Sequence, residues 1–324
     1  MADFPKTVQI NEEGPREGFQ IEKGPISTAR KIELVNSLSE TGLNQIQVAS
    51  FVSNKAVPQW ADAAEVVAGF ERKPGIRYTA LWLNDKGFER ALAANAREKR
   101  LDIHGSISLT ASEKFLKRNQ NRTLAQNYAA QMEAVKLYLS HGVGVSRASL
   151  MAAFGCNFEG DIAPSHVVHM VGQAMEIAKA NGVTLKTFSL ADTMAWATPM
   201  HIRRTVGAVR EAYPDLEMAL HLHDTRGLGV ANAYAGLEMG VRIFDSAVAG
   251  LGGCPFAAHK GAAGNVCTED LVFMCEEMGI ATGVDLEALM ESARLAEDIV
   301  GHPLPGSVKS GGSLAKLRAA AKAA

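Results

Sequence analysis

The chain has 324 residues, 47% of them apolar, with 33 Lys and Arg against 35 Asp and Glu for a formal net charge of −2. That length exceeds a minimal domain and suits one α/β barrel of about 250 residues with additions. No basic stripe with interleaved aromatics is present, so nucleic acid is not an expected partner, and no apolar run approaches the roughly 20 residues of a membrane span.

The first residues, Met1 to Lys6, carry no secretory apolar run, and Cys156, Cys254, Cys267 and Cys275 form no C-x-x-C pair. Both features point to reduced thiols in a cytoplasmic protein. Short β-rich runs begin at 8–10, 45–48, 77–81, 102–107, 149–154, 185–190, 218–223 and 243–248. Helical patterns lie between them at 29–41, 59–70, 125–141, 167–180, 201–212 and 229–239, with Gly42, Gly142, Gly182 and Gly240 placed as C-terminal caps. This alternation, repeated about eight times, predicts a (β/α)8 TIM barrel over 1–280. A doubly wound open sheet fits less well, because no glycine fingerprint follows the first strand. Helical patterns at 269–278 and 286–300 and the Ala/Lys-rich tail 314–324 predict additional C-terminal helices. The segment 281–324 is then an extension packed on the barrel, frayed at its end.

Function in a barrel gathers at the C-terminal ends of the strands. After strand one comes Gly14-Pro15-Arg16-Glu17-Gly18-Phe19-Gln20, read as a tight loop that positions Arg16 and Glu17 rather than leaving them as a surface ion pair. Strand two ends near Gln47, and strand six in Asp192-Thr193, where Asp192 serves the site or caps the next helix. Strand seven ends in His221-Leu222-His223-Asp224. Residues two apart in a strand share a face, so the two imidazoles project side by side. Asp224 suits orienting an imidazole better than ligation, with helix capping as the alternative. After strand eight, Cys254 sits among five glycines between Gly250 and Gly264, as either a small apolar residue or an acid/base on a closing lid. Glu17, His221, His223 and the Asn265 amide form a mixed donor set for Mg2+ or Mn2+, which Fe2+ or Zn2+ would also accept.

The segments Gly14 to Lys23, Ser50-Phe51-Val52-Ser53, Val57-Pro58-Gln59, Ala111-Ser112-Glu113, His221 to Thr225 and Val248 to Pro255 resemble the 3-hydroxy-3-methylglutaryl-CoA lyases of the DRE-TIM metallolyases. The resemblance runs in order from about Val8 to Val284. It implies a retro-Claisen cleavage of a 3-hydroxy-3-carboxyalkyl acyl-CoA to acetyl-CoA and a keto acid. It implies Glu17, His221, His223 and Asn265 as cation ligands, Arg16 on the thioester oxygen and Cys254 as the acid that protonates the enolate. Asp192 and Glu269 match polar positions that support catalysis; Gln20, Lys23, Gln47, Asn119 and Thr193 match the substrate's surroundings. Dimerisation is expected by analogy with such barrels.

Three departures stand out. Glu17 replaces the usual Asp, Gln47 replaces a strand-two Glu, and the stretch 256–261, with His259 and Lys260, is about two residues longer than usual. Such changes leave open a related substrate such as citramalyl-CoA (to acetyl-CoA and pyruvate), a condensing synthase, or a repurposed barrel.

Overall fold

The computed structural model describes residues 4–252 and 264–323, without the side chains of 320 and 323. Eight parallel strands form its sheet: β1 (Gln9–Glu12), β2 (Gln45–Ser50), β3 (Arg77–Leu81), β4 (Gly105–Thr110), β5 (Val145–Met151), β6 (Thr187–Ala191), β7 (Glu217–His221) and β8 (Ile243–Ser246). Their order is β3-β2-β1-β8-β7-β6-β5-β4, a run of sequence neighbours in which β8 returns to pair with β1. At the β3/β4 seam the Asp102 amide donates to the Tyr78 carbonyl at 2.7 Å, and the Tyr78 amide donates back to Asp102 Oδ2 at 2.9 Å. Helices follow each strand, so the expected (β/α)8 barrel is the observed fold.

Alternation along the strands separates two environments. Ile10, Ile46, Val48, Leu109, Leu150, Phe188, Leu190, Leu220 and Phe244 are buried in the main apolar core between sheet and helices. The opposite positions are polar. Asn11 on β1 donates to Asp245 on β8 at 2.8 Å, and Arg147 on β5 reaches the same carboxylate at 3.4 Å. Since β5 and β8 are three strands apart, that ion pair crosses the barrel interior.

The four cap glycines all have positive φ just beyond a helix. Three local expectations need correction. The segment read as a tight loop is a short buried helix, Gly14–Phe19, begun by Pro15 and anchored where the Gly14 amide donates to Glu12 Oε1 at 2.7 Å. The fifth strand starts at Val145 rather than Ser149. Its inward residues are polar, and the apolar residues after Met151 already turn away, with Ala152 at φ 55. The fourth starts at Gly105, because Asp102 serves the seam. Beyond the barrel, Leu286–Val300 packs on Thr28–Ser39, where Ser292 and Ser37 hydroxyls meet at 2.7 Å.

Candidate active site

Glu17, His221 and His223 converge at the C-terminal mouth of the barrel, with one potential ligand atom from each lying within 4.8 Å of the others. Their elements bring them there separately. Glu17 lies on the helix directly after β1, His221 ends β7, and His223 follows two residues later, pairing in an antiparallel bridge with Asn265. His221 Nε2 and His223 Nε2 are 3.2 Å apart; Glu17 Oε1 is 3.5 Å from His223 Nε2, and Oε2 is 3.9 Å from His221 Nε2. Bonds of about 2.0–2.2 Å to one cation place neighbouring donors roughly 3 Å apart at a right angle, which this spacing approaches.

The donor chemistry fits a cation in two further respects. Asn265 is fully buried, and neither its Oδ1 nor its Nδ2 has a hydrogen-bond partner among the described residues. An orphaned buried amide beside three donor groups is a position for a ligand oxygen. Gly252 covers the same spot: a Cβ there would lie 3.3 Å from Glu17 Cγ and 3.5 Å from Asn265 Oδ1, and its φ is +107°. Gly252→Ala is therefore expected to strain the backbone by about 1–3 kcal/mol and to displace Glu17. Calorimetric titration with Mn2+ should show at least a roughly 10-fold loss of affinity, the scale seen when groups that orient metal ligands are removed.

Charge is arranged around these groups. Burial alone would lower the pKa of His221, but Asp245, Glu17 and Glu13 outweigh it and raise it to about 9. Asp245 Oδ2 faces His221 Nδ1 at 3.4 Å, so the Nδ1 proton points at the carboxylate and Nε2, which gives up its proton to a bound cation, points at the site. Burial raises the Asp245 carboxyl, yet Arg147 and His221 bring it down to about 2. Burial likewise opposes ionisation of Glu17, but Arg16 and the two histidines hold it well below the usual carboxylate range.

Arg16 is buried beside the trio. Its Nη2 donates to Glu13 Oε2 at 2.9 Å and to Glu17 Oε2 at 3.0 Å, and its Nε donates to Gln47 Oε1. Gln47 Nε2 in turn donates to Glu13 Oε1 at 3.3 Å. Nη1 makes no hydrogen bond among the described residues. Trp60 Nε1 donates to the Arg16 carbonyl at 3.0 Å and ties the short helix to the segment after β2.

Other expected site residues are placed differently. Asp192 is 1% exposed and accepts from the Trp196 amide at 2.7 Å and the Ala197 amide at 3.1 Å, shaping the turn after β6. Burial raises its pKa although His223 opposes the shift. Thr193 Oγ1 accepts from the Ala152 amide at 2.9 Å. Asp224 Oδ1 accepts from the Gly229 amide at 2.6 Å, the first amide of the helix Gly229–Glu238; the carboxylate that faces an imidazole is Asp245. Glu269 lies beneath the 248–250 turn, accepting from the Ala249 amide at 3.0 Å, with burial lifting it to about 7. Gln20 follows the Gly14–Phe19 helix, Lys23 is exposed on the next loop, and Asn119 is in the last turn of Glu113–Gln120. Among the described residues, no hydrogen bond or ion pair joins these three to the trio. Cys254, His259 and Lys260 lie outside the described residues.

Glu12 holds the frame of the site together. It accepts from the Gly14 amide at 2.7 Å, the Val248 amide at 2.9 Å and the Thr268 hydroxyl at 2.6 Å, and burial pushes its pKa up from 4.5 to about 8. A carboxyl raised in this way keeps its proton on folding. Its contribution is unpenalised below 4.5, where both states are protonated, and stability declines as pH rises from there toward about 8. Glu12→Gln should flatten that decline, read as urea midpoints at pH 5 and pH 8; an equal decline in both proteins would refute the assignment.

A parallel barrel with two histidines, a carboxylate and an unpartnered amide at its C-terminal mouth defines a class: barrels that can hold a divalent cation where substrate enters. The HMGL-like family model matches residues 7–296, and the chain belongs to that family. It is 43% identical over 292 residues to the mitochondrial hydroxymethylglutaryl-CoA lyase of Macaca fascicularis, covering 90% of this chain and 85% of the relative. It is 39% identical over 321 residues to a 3-hydroxy-3-isohexenylglutaryl-CoA/hydroxy-methylglutaryl-CoA lyase of Pseudomonas aeruginosa, covering 99% of this chain and all of the relative. Among solved structures, an HMG-CoA lyase from Acinetobacter baumannii in complex with coenzyme A and 3-methylmalate superimposes with a TM-score of 0.83 at 39% identity, covering 97% of each chain.

Proposed function

We propose that this protein is a carbon–carbon lyase that cleaves 3-hydroxy-3-methylglutaryl-CoA to acetyl-CoA and acetoacetate in a divalent-cation-dependent retro-Claisen reaction. The observation that carries the reading is the convergence of Glu17, His221 and His223 beside a buried arginine, with the unpartnered Asn265 amide on the segment bridged to His223. Similarity over 90% and 99% of the chain to lyases of this substrate class supports it.

A bound Mg2+ or Mn2+ supplies Lewis acidity to the substrate hydroxyl, lowering the cost of removing its proton. Glu17, His221, His223 and Asn265 are the residues that hold it. Asp245, with Asn11 and Arg147 on its other side, fixes the His221 ring so that Nε2 faces the site. Arg16, held by Glu13, Glu17 and Gln47, keeps Nη1 for the thioester oxygen, where negative charge collects as the C2–C3 bond breaks. Asp192 and Glu269 support the loops that carry these groups. Protonation of the acetyl-CoA enolate is assigned to Cys254.

The coenzyme A complex of the A. baumannii relative supports an acyl-CoA substrate. No helix among the described residues is long and apolar enough to cross a membrane. The curated relatives include cytoplasmic and mitochondrial forms, and cytoplasmic residence and a homodimer belong to this proposal.

Mass spectrometry of product mixtures tests it. The enzyme with Mg2+ or Mn2+ should release acetyl-CoA and acetoacetate, and a chelator should stop it reversibly. The panel includes citramalyl-CoA and a 3-isohexenyl analogue. Cleavage of one of these alone would move the substrate and keep the reaction; undiminished turnover after chelation would defeat the mechanism.

A further inference from the structure

Arg16, Glu13 and Gln47 close a three-membered ring of hydrogen bonds, and its polarity is fully determined. A guanidinium only donates, so the Gln47 oxygen must face Arg16 Nε. The Gln47 NH2 group then has to face an acceptor, and it meets Glu13 Oε1 at 3.3 Å. Glu13 takes Arg16 Nη2 on its other oxygen. An amide accepts from an arginine and donates to a carboxylate at once, which an ionised carboxylate of the same shape cannot do. A glutamate at position 47 would set two carboxylates against each other at that distance.

The ring also decides how much of Glu17 is left for a cation. Arg16 Nη2 is shared between Glu13 at 2.9 Å and Glu17 at 3.0 Å. Burial and Asp245 raise the Glu13 carboxyl while Arg16 and His221 oppose the shift; in its ionised form Glu13 balances one cationic side chain, and Glu17 contributes a net negative charge to the two histidines. Without Glu13, Arg16 would pair with Glu17 alone, and the cation would meet a neutral pair instead of a carboxylate. Asp245 acts on the other side of the site, at His221 Nδ1, and is itself paired with Arg147 at 3.4 Å.

We infer that Glu13 is a positioning residue of the site and that Gln47 is its matched partner: the carboxylate that steadies Arg16 and frees Glu17 stands at position 13, which requires an amide at 47. This deepens the cation-dependent reading and rests on it. The pair is a single unit, so its charge can sit on either member and on one only.

The test is a double-mutant cycle on the full chain: Glu13→Gln, Gln47→Glu and the exchanged Glu13→Gln/Gln47→Glu. Mn2+ affinity is measured by calorimetry without substrate, beside kcat and KM, with thermal melts to verify folding. Glu13→Gln should weaken Mn2+ binding at least about 10-fold and lower kcat more than it raises KM. Gln47→Glu should lower kcat by a similar factor through displacement of Arg16, without weakening Mn2+. The exchanged protein should recover both properties to within roughly threefold of the parent, a coupling that independent residues do not show. An exchanged protein as impaired as the product of its single variants would overturn the inference, as would Glu13→Gln with unchanged Mn2+ affinity and kcat. If the parent itself binds no Mn2+, the cation-dependent reading fails first and this inference falls with it. A parent that binds Mn2+ while the exchange gives no recovery defeats only the inference.

Discussion

His223→Ala should lose essentially all lyase activity, by about 10^3-fold or more, while keeping its fold. The ring is 3% exposed and contributes one of three clustered donors, 3.2 Å from His221 Nε2 and 3.5 Å from Glu17 Oε1. Removing groups that merely orient metal ligands costs roughly 10–100-fold in affinity, so loss of a ligand should exceed about 100-fold in Mn2+ binding. The Lewis acid supplies several kcal/mol of transition-state stabilisation, and about 4 kcal/mol corresponds to the predicted loss of rate. The backbone bridge to Asn265 does not use the imidazole, so the cost in stability should stay near 1–3 kcal/mol. Calorimetry with Mn2+, steady-state kinetics and a urea melt read all three. A variant that retains a tenth of the parental rate would remove His223 from the site.

Arg16→Met should be the most destabilising single change in the site. It leaves Glu13 and Glu17 buried without the guanidinium that now lies 2.9 Å and 3.0 Å from them. Breaking a buried pair by removing one partner costs about 3–5 kcal/mol, because an uncompensated charge remains. The sign with pH follows from Glu17, whose pKa is held well below 4.5. Its contribution is fully present above that value and is lost as pH falls through the depressed folded value. The deficit of Arg16→Met should therefore be full near pH 7 and shrink steadily below about pH 4. Arg16→Lys separates position from charge. A lysine keeps the charge but cannot serve Gln47, Glu13 and Glu17 from one planar fork. It should remain within roughly 1–2 kcal/mol of the parent in stability. Its kcat should still fall about 10^2–10^3-fold, as when one oxyanion donor is lost. Equal rates for the lysine variant and the parent would show that the fork geometry is irrelevant.

Much of the architecture is legible in the sequence because it depends on local pattern. Strand–helix alternation and the glycines at 42, 142, 182 and 240 report the barrel, and the two-residue spacing of His221 and His223 reports their shared face. Glu17 joins the two histidines at the barrel mouth, and Asn265 bridges to His223 through the backbone. The misreadings come from long-range placement. Asp245 is not legible as a partner of His221 because their meeting depends on the register that pairs β8 with β7; its trace in the sequence is a carboxylate directly after Ile243 and Phe244 in a short strand. Glu13 gave a similar trace, one polar residue in phase with Gln9 and Asn11. Asp224 shows the reverse error: it adjoins His223 in sequence, yet its carboxylate turns to the Gly229 amide. The glycines of the 14–19 segment are the residues of a loop. Burial makes it a helix: Gly18 lies so close to Leu251 that a Cβ there would come within 2.7 Å of the leucine Cβ.

The central claim is that Glu17, His221, His223 and Asn265 bind one divalent cation. Anomalous diffraction from crystals soaked in Mn2+ tests it most directly. The account predicts a single strong peak about 2.0–2.3 Å from a Glu17 carboxylate oxygen and from Nε2 of both histidines, with Asn265 Oδ1 turned toward it. A peak elsewhere in the barrel, or none in crystals of protein that still cleaves substrate, would contradict it.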